Sequence, residues 1–401
     1  MRRLPLLAIA LVLVGFNLRI AVASVPPLLT DLERALGMSP TVAGLLTSLP
    51  VLCFGLLAVA AAPLGRRFGG ETVLVVALVP LCVGTALRAA GSTGALFAGT
   101  IFAGAGIAVA NVMVPAVIKA RFPQRVGVLM GLYTAALGVG AALAGGLAVP
   151  FERAFGWQGS LAIWTLPALA AAALVVVAVA RDHGRHAAAI RGGVGEARPL
   201  LRSRLAWQLT VLFGTQAAVF YSALTWLPSI LRAHGFSDSA AGALLSVFML
   251  GGVPAALVAP MLATRVRDQR PVVAVFCGLE ITAIAGLIVA PGAAVLWVTI
   301  FAAGQGGAFP LSLTLMVMRS PDARRAAELA GMAQAIGYGM AALGPLIAGA
   351  LHAATGGWTA TLLFMLLLGV PMTVAGLGAG RPGGLVSEDA ARRADLAATA
   401  P

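Results

Sequence analysis

The residue of this sequence that most clearly suggests chemistry is an arginine inside an apolar run. Arg19 lies in the stretch GFNLRIAVASVPPLL, residues 15–29. A charged side chain at the centre of a membrane-spanning helix costs at least roughly 2.5–3.5 kcal/mol. Such a guanidinium either pairs with a carbonyl or carboxylate between helices, or binds an anion. Because no acid of the same run lies within one turn of Arg19, we favour an anion ligand.

A single acid, Glu280, lies in the middle of another apolar run. A carboxyl group there can be protonated, paired or used to carry protons. A structural role is the simpler interpretation, and Glu280 is also the candidate for proton coupling. A pair between Glu280 and Arg19 would weaken the anion hypothesis.

Amide and aromatic side chains also recur inside the apolar runs, where they offer hydrogen bonds and flat walls to a small solute. Taken singly, each is more typical of helix packing than of binding. Asn17 is two positions from Arg19 and points to a nearly opposite side of an ideal helix, which favours packing. The candidate binding set is Arg19, Asn17, Asn111, Tyr133, Gln216, Tyr221, Trp226, Gln305, Gln334 and Tyr338.

Signs of enzymatic chemistry are absent from the apolar runs. The three cysteines are far apart, the four histidines are scattered, and neither has metal or redox spacing. The pattern at Gly104 and Gly106 lacks the third glycine of a dinucleotide loop and indicates close helix packing. We therefore expect no enzyme, no metal and no cofactor. A sensor would usually carry an additional soluble domain, and the sequence shows none.

The composition is that of a polytopic membrane protein, with 60% hydrophobic and 10% charged residues in 401. Backbone groups in lipid must be satisfied internally, so the apolar runs are helices. Twelve are predicted, at about 4–30, 39–63, 72–91, 95–120, 125–150, 158–180, 205–231, 238–263, 271–290, 292–319, 325–352 and 357–380. The first resembles a signal peptide, but its apolar run continues to Leu29, and we expect an uncleaved helix.

Charge placement predicts the orientation. If the N-terminus is cytoplasmic, 22 of the 27 basic residues fall in cytoplasmic segments. The net charge of +13 thus reflects topology rather than nucleic-acid binding. The protein is expected in a bacterial inner membrane, with both termini in the cytoplasm. The predicted domains are a six-helix bundle at 1–180, a cytoplasmic linker at 181–204, a second bundle at 205–380 and a cytoplasmic tail at 381–401.

The two halves repeat. LGMSPTVAGLLTSLP at 36–50 matches HGFSDSAAGALLSVF at 234–248, with the glycines and serines offset by 198 positions. Further matches follow in the same order, up to an offset of 201. Six spans per repeat is an even number, so both halves enter the membrane in the same direction. This predicts a pseudo-two-fold axis along the membrane normal, as in the major facilitator fold, with a solute site between the halves.

Short segments carry the family resemblance. The loops APLGRRFGG at 62–70 and APMLATRVRDQRP at 259–271 resemble the major facilitator loop motif. Arg66 and Thr264 stand where the family has aspartate, whereas Arg67, Gly69 and Arg265 match it. Arg66, Arg67, Gly69 and Arg265 are therefore candidate gating residues.

The sequence is similar to the cyanate and 2-nitroimidazole transporter family over about residues 15–380. The segments GAGIAVANVMVPAVIKARFP, FYSALTWLPSIL and GMAQAIGYGMAALGP carry this resemblance. It implies a secondary transporter of small, often anionic solutes. The first, fourth, fifth, seventh, tenth and eleventh of the twelve predicted helices would line the cavity. The candidate binding set lies on these helices.

The predicted function is alternating-access transport of a small anionic or electron-rich solute. The alternative is a multidrug or metabolite efflux carrier of the same fold, because the predicted cavity is largely apolar apart from Arg19. The expected partners are the solute, the lipid bilayer and, as a candidate, protons. We expect no nucleic acid and a monomeric protein.

Overall fold

The computed structural model describes residues 4–181 and 200–385. In the first half of the chain the helices are α1 (Leu4–Ala23), α2 (Leu29–Leu36), α3 (Pro40–Phe68), α4 (Gly70–Leu87), α5 (Thr93–Arg121), α6 (Val126–Ala162) and α7 (Thr165–Ala180). In the second half they are α8 (Arg204–Ala233), α9 (Asp238–Leu250), α10 (Val253–Arg265), α11 (Arg270–Val289), α12 (Ala294–Arg319), α13 (Ala323–Thr355) and α14 (Thr359–Ala379). Four short 3₁₀ helices connect some of them, and these two ranges contain no β-strand.

The chain divides into two compact units. The described residues of Met1–Val117 and Leu132–Gly192 form the first unit, and those of Ile118–Gly131 and Gly193–Pro401 form the second. The predicted linker 181–204 and the predicted tail 381–401 fall mostly outside the described residues. The predicted domain limits therefore stay predictions.

Eleven helical segments of the described chain are long and apolar enough to cross a membrane. The longest, Pro123–Ala180, has 58 residues and contains both α6 and α7, which correspond to two predicted spans. Inside α6 the backbone leaves helical geometry at Gly156, with φ 70° and ψ 170°. This break falls between the spans predicted at 125–150 and 158–180.

Two predicted spans differ from the structure because each is interrupted. The first, predicted at 4–30, ends as a helix at Ala23, just before Pro26 and Pro27, which cannot donate a backbone hydrogen bond. The eighth, predicted at 238–263, is divided into α9 and α10 at Gly251 and Gly252. A Cβ on Gly252 would lie 2.8 Å from the carbonyl oxygen of Ala302, so α10 and α12 approach closely here.

The sequence repeat is also a repeat of backbone conformation. Gly37 and Gly235 both have positive φ, 63° and 88°, which favours glycine. Two residues later, the hydroxyls of Ser39 and Ser237 accept the backbone N–H of the third following residue and cap α3 and α9.

A hydrogen bond is repeated as well. The Ser160 hydroxyl donates to the Ala148 carbonyl at 2.8 Å, and the Thr361 hydroxyl donates to the Ala348 carbonyl at 2.8 Å. The two donors are 201 positions apart and the two acceptors 200. Ser160 and Ala148 lie on either side of the break at Gly156 within α6, whereas Thr361 and Ala348 lie on α14 and α13. Both halves therefore join the same pair of predicted spans with the same interaction.

Helix packing in the first unit depends on small residues. A Cβ on Gly84 of α4 would lie 2.4 Å from backbone atoms of α5. A Cβ on Gly140 of α6 would lie 2.1 Å from the Phe16 carbonyl oxygen of α1. Such contacts are typical of membrane helices, which associate through close backbone approach.

Gly140 provides a direct test of the α1–α6 contact. Gly140→Ala should lower the thermal stability of the purified protein, because overpacking typically costs about 1–3 kcal/mol. Gly146→Ala is the matched control, since a Cβ at that position of the same helix meets no atom within 4 Å. Thermal unfolding in detergent measures both. Equal melting temperatures for the two variants would contradict this packing.

Candidate functional site

Arg19 lies on α1 in the first unit and is half-buried. Gly15 precedes it by four positions, so the two residues share one face of the helix. The Tyr133 ring of α6 packs on Gly15, and a Cβ there would lie 2.6 Å from Tyr133 Cδ2. The face of α1 that carries Arg19 is thus the one covered by Tyr133.

Tyr133 connects this face to a third helix. Its side chain is fully buried, and its hydroxyl donates to Asn111 Oδ1 of α5 at 3.0 Å. Three predicted residues from α1, α5 and α6 are therefore placed on one side of α1. We call Gly15, Arg19, Asn111 and Tyr133 the Arg19 face.

Asn17 is directed elsewhere. Its Nδ2 donates to the Leu13 carbonyl at 2.8 Å and to the Pro167 carbonyl of α7 at 3.1 Å. The amide is buried between α1 and α7. This geometry favours the packing interpretation, and a role of Asn17 in binding stays a prediction.

In the second unit, α8 and α12 are joined by two predicted amides. Gln305 Nε2 donates to the backbone carbonyl of Gln216 at 3.2 Å, and Gln216 Nε2 donates to Gln305 Oε1. Because a backbone carbonyl can only accept, Gln305 must present its nitrogen there and its oxygen to Gln216. The orientation of both amides is thereby determined, and both side chains are buried.

The other predicted aromatic and amide residues of the second unit lie on α8 and α13. The Tyr338 ring meets Phe213 of α8 edge-on, with 5.3 Å between ring centroids. Gln334, one turn before Tyr338, is buried, whereas Tyr221 is half-buried beside Phe220.

Trp226 lies near the C-terminal end of α8, apart from the amide pair. Its Nε1 donates to the Pro345 carbonyl at 2.9 Å, and its ring lies 5.4 Å from that of Trp358. These contacts hold α8 against α13 and α14. Its place in the binding set stays a prediction.

The predicted loop motif residues lie at helix ends. Gly69, with φ 88°, joins α3 directly to α4. The Arg67 guanidinium lies 5.2 Å from the centre of the Phe68 ring. Arg66 and Arg265 are exposed. A gating role of these residues stays a prediction.

Sequence reasoning missed a polar network around Arg319 at the end of α12. The Arg319 guanidinium donates to the Ala379 carbonyl at 2.8 Å, the Gly383 carbonyl at 3.0 Å and Gln269 Oε1. Gln269 Nε2 in turn donates to the Val266 carbonyl at 2.6 Å. Next to it, hydrogen bonds from Arg270 hold the pKa of the half-buried Asp268 carboxyl below its usual value.

The role of Arg88 is a second feature that sequence reasoning did not find, although the residue lies within the span predicted at 72–91. It follows α4 and is 1% exposed. Its guanidinium donates to the Ala21 carbonyl in the last turn of α1 at 2.5 Å. A cation at a helix C-terminus is electrostatically favourable. Arg88 therefore stabilises the end of the helix that carries Arg19.

The described residues contain no group of three or more His, Cys, Asp or Glu side chains that could hold a metal ion. The three cysteines are free and buried. The predicted binding set consists of an arginine, amides and aromatic side chains, which suit noncovalent recognition of a small solute.

The sequence profile of the Major Facilitator Superfamily matches residues 7–334. The 2-nitroimidazole transporter of Escherichia coli (strain K12) is 37% identical over 381 residues, which cover 94% of this chain and 96% of the relative. The cyanate transport protein CynX of the same organism is 34% identical, covering 91% and 95%. The uncharacterized transporter YycB of Bacillus subtilis (strain 168) is 36% identical, covering 92% of each chain.

Solved structures agree in fold. The crystal structure of the E. coli fucose:proton symporter FucP (N162A) superposes with a TM-score of 0.75, covering 95% of this chain and 100% of that one. Its sequence identity is 14%, so the likeness concerns the fold alone. The major facilitator fold predicted from the repeat is confirmed.

The bond between Tyr133 and Asn111 can be measured by a double-mutant cycle. Tyr133→Phe, Asn111→Leu and the double variant should show a coupling of about 0.6 kcal/mol, the average for hydrogen bonds between membrane helices. Stability measured by unfolding in mixed detergent micelles gives this value. If the two substitutions are additive, the hydrogen bond contributes nothing to the Arg19 face.

Proposed function

Because the chain belongs to the Major Facilitator Superfamily, we propose that it carries a small anionic or electron-rich solute that binds at Arg19. The protein is a multi-pass membrane transporter and not an enzyme. Two of its relatives are named for 2-nitroimidazole and for cyanate. Both solutes are small and present electron-rich oxygen or nitrogen atoms.

The observation that carries the proposal is the position of Arg19 on a membrane-spanning helix. A cation there is costly in hydrocarbon, and a bound anion offsets that cost. The planar guanidinium can donate two parallel hydrogen bonds to a nitro group or a similar pair of acceptors. On the same side of α1, Tyr133 supplies an aromatic surface and Asn111 an amide.

Transport follows from exposure of this site to one side of the membrane and then to the other. Import of an anion against an inside-negative potential is unfavourable, at about 2.3 kcal/mol per charge per 100 mV. A coupled proton would offset that charge. We therefore include proton coupling and alternating access in the proposal.

Substitutions of Arg19 test the binding site. Arg19→Lys keeps the charge but loses the planar fork, and should weaken binding by at least about tenfold, or ~1.4 kcal/mol. Arg19→Ala should abolish binding and leave the protein folded, because a charge that is costly in hydrocarbon disappears with the side chain. Thermal shift of purified protein with cyanate, nitrite and 2-nitroimidazole measures affinity and stability together.

Arg34→Ala is the control, since this exposed arginine of α2 pairs only with the nearby Asp31, at 3.5 Å, among the described salt bridges. It should leave both binding and stability unchanged. A destabilised Arg19→Ala that still binds a solute with wild-type affinity would show that Arg19 is structural.

The orientation in a bacterial inner membrane is tested by cysteine labelling. Arg267 is exposed between α10 and α11, and Ala354 is exposed at the end of α13. In a variant lacking Cys53, Cys82 and Cys277, Arg267→Cys should react only with a reagent that enters the cytoplasm. Ala354→Cys should react with an impermeant reagent added outside. The reverse pattern would place both termini outside.

A further inference from the structure

Glu280 is an acid in the middle of a membrane-spanning helix. It lies at the centre of α11 in the second unit and is 1% exposed. Neither carboxyl oxygen has a hydrogen-bond partner in the part of the chain that the structure describes. The Arg19 site makes no use of this side chain, so its role requires a separate account.

In the described part of the chain, α12 and α14 present no cation along the lengths that pack against α11. Against it lies Gly304 of α12, where a Cβ would be 2.8 Å from Glu280 Cγ. Between their first residues and Met318 or Ala379, α12 and α14 carry no acidic, basic or histidine side chain. The titratable neighbour of Glu280 on α11 itself is the buried Cys277 thiol. On α12 the charged residue nearest in sequence to Gly304 is Arg319, about 22 Å farther along the helix.

A role in packing does not explain this side chain. A carboxyl that stabilised the helix bundle would hydrogen-bond to it, and neither oxygen does so. Removing a charged group from water without a partner is so costly that the group binds a proton instead. Glu280 therefore stands in this conformation as a neutral acid whose hydrogen-bonding capacity is unused.

We propose that Glu280 is the proton-binding site of the transport cycle, and this rests on the proposed function. In the conformation described here the carboxyl holds its proton among α11, α12 and α14. In the conformation that releases the proton, the carboxylate must meet water, so α11 and α12 must separate at Gly304. Protonation of Glu280 thus favours the packed arrangement and loss of the proton favours the opened one.

The contact at Gly304 connects this equilibrium to the amide pair. Gln305 follows Gly304 on α12 and bonds to Gln216 on α8 at 3.2 Å. A displacement of α12 away from Glu280 that is not followed by α8 would also draw the Gln305 amide away from the Gln216 carbonyl. Proton release at Glu280 would then change the polar groups between α8 and α12.

The main test is transport by protein reconstituted into liposomes, with labelled cyanate, nitrite and 2-nitroimidazole. Glu280→Gln mimics the protonated acid, so accumulation driven by an imposed pH gradient should fall to the level of liposomes without the gradient. Exchange of internal for external solute should continue, because it needs no net proton movement. Glu33→Gln, which changes a half-buried acid on α2, is the matched control and should keep gradient-driven accumulation.

The outcomes separate the two proposals. Gradient-driven accumulation by Glu280→Gln equal to wild type would overturn the role of Glu280 and leave the proton on the solute itself. If wild type transports the solute equally well with and without the pH gradient, proton coupling is overturned, but the proposal that the protein is a transporter of this solute stands. Absence of transport of all three solutes by wild type would count against the proposed solute class.

A second measurement requires no solute. Infrared difference spectra recorded during a pH titration should show the C=O stretch of a protonated carboxyl in wild type and in Glu33→Gln, and its loss in Glu280→Gln. Raising the pH should also lower the melting temperature of wild type more than that of Glu280→Gln, because ionisation places a charge between packed helices. Identical spectra for wild type and Glu280→Gln would show that Glu280 holds no proton and would overturn the proposal.

Discussion

A polar group in hydrocarbon has no water to bond, and this constraint shapes the whole chain. Hydroxyls within the spans, such as those of Thr85 and Thr314, bond to the carbonyl one turn before them. Larger polar groups find acceptors on another helix, as Arg88 does at the end of α1. These bonds require short distances between backbones, which glycines at the contacts provide. Close packing of the helices and hydrogen bonding of their polar groups therefore occur together.

The same constraint separates structural from functional polar residues. Asn17 and Arg19 are two positions apart on α1, yet the Asn17 amide bonds between helices while Arg19 lies on the face covered by Tyr133. Trp226 likewise uses its only donor on the Pro345 carbonyl. Glu280 differs from these residues because its oxygens bond to nothing in the described structure.

Hydropathy predicted the spans because it depends on local composition, and the repeat predicted the fold because its matches follow one another in the same order in both halves. The interruptions of the first and eighth spans were harder to predict, since other helices of this chain contain proline, as α3 does at Pro50 and Pro63, or adjacent glycines, as α6 does at Gly145 and Gly146. The pairing of Gln216 with Gln305 joins residues 89 positions apart. Periodicity indicates which face a residue occupies but not its partner. For the same reason the bond from Arg88 to the Ala21 carbonyl was not predicted.

The two halves share a scaffold but differ in chemistry. Gly104 and Gly304 occupy equivalent positions in the repeat, yet Gly104 approaches Cys53 and Gly304 approaches Glu280. The first unit offers a cation and a phenol, and the second offers an amide pair and an acid. The two glycines face different helices of the repeat, since Cys53 lies on α3, in the second predicted span, and Glu280 lies on α11, in the ninth.

The hydrogen bonds of Ser160 and Thr361 have a consequence for biosynthesis. Each joins residues only 12 or 13 positions apart. Contacts so local form quickly, because little chain entropy is lost in closing them. Domains of a growing chain generally fold from the N-terminal end as they emerge. The two spans joined by Ser160 can therefore assume their native form before the ribosome has translated the half that contains Thr361. The two spans joined by Thr361 can then form without rearranging the earlier ones.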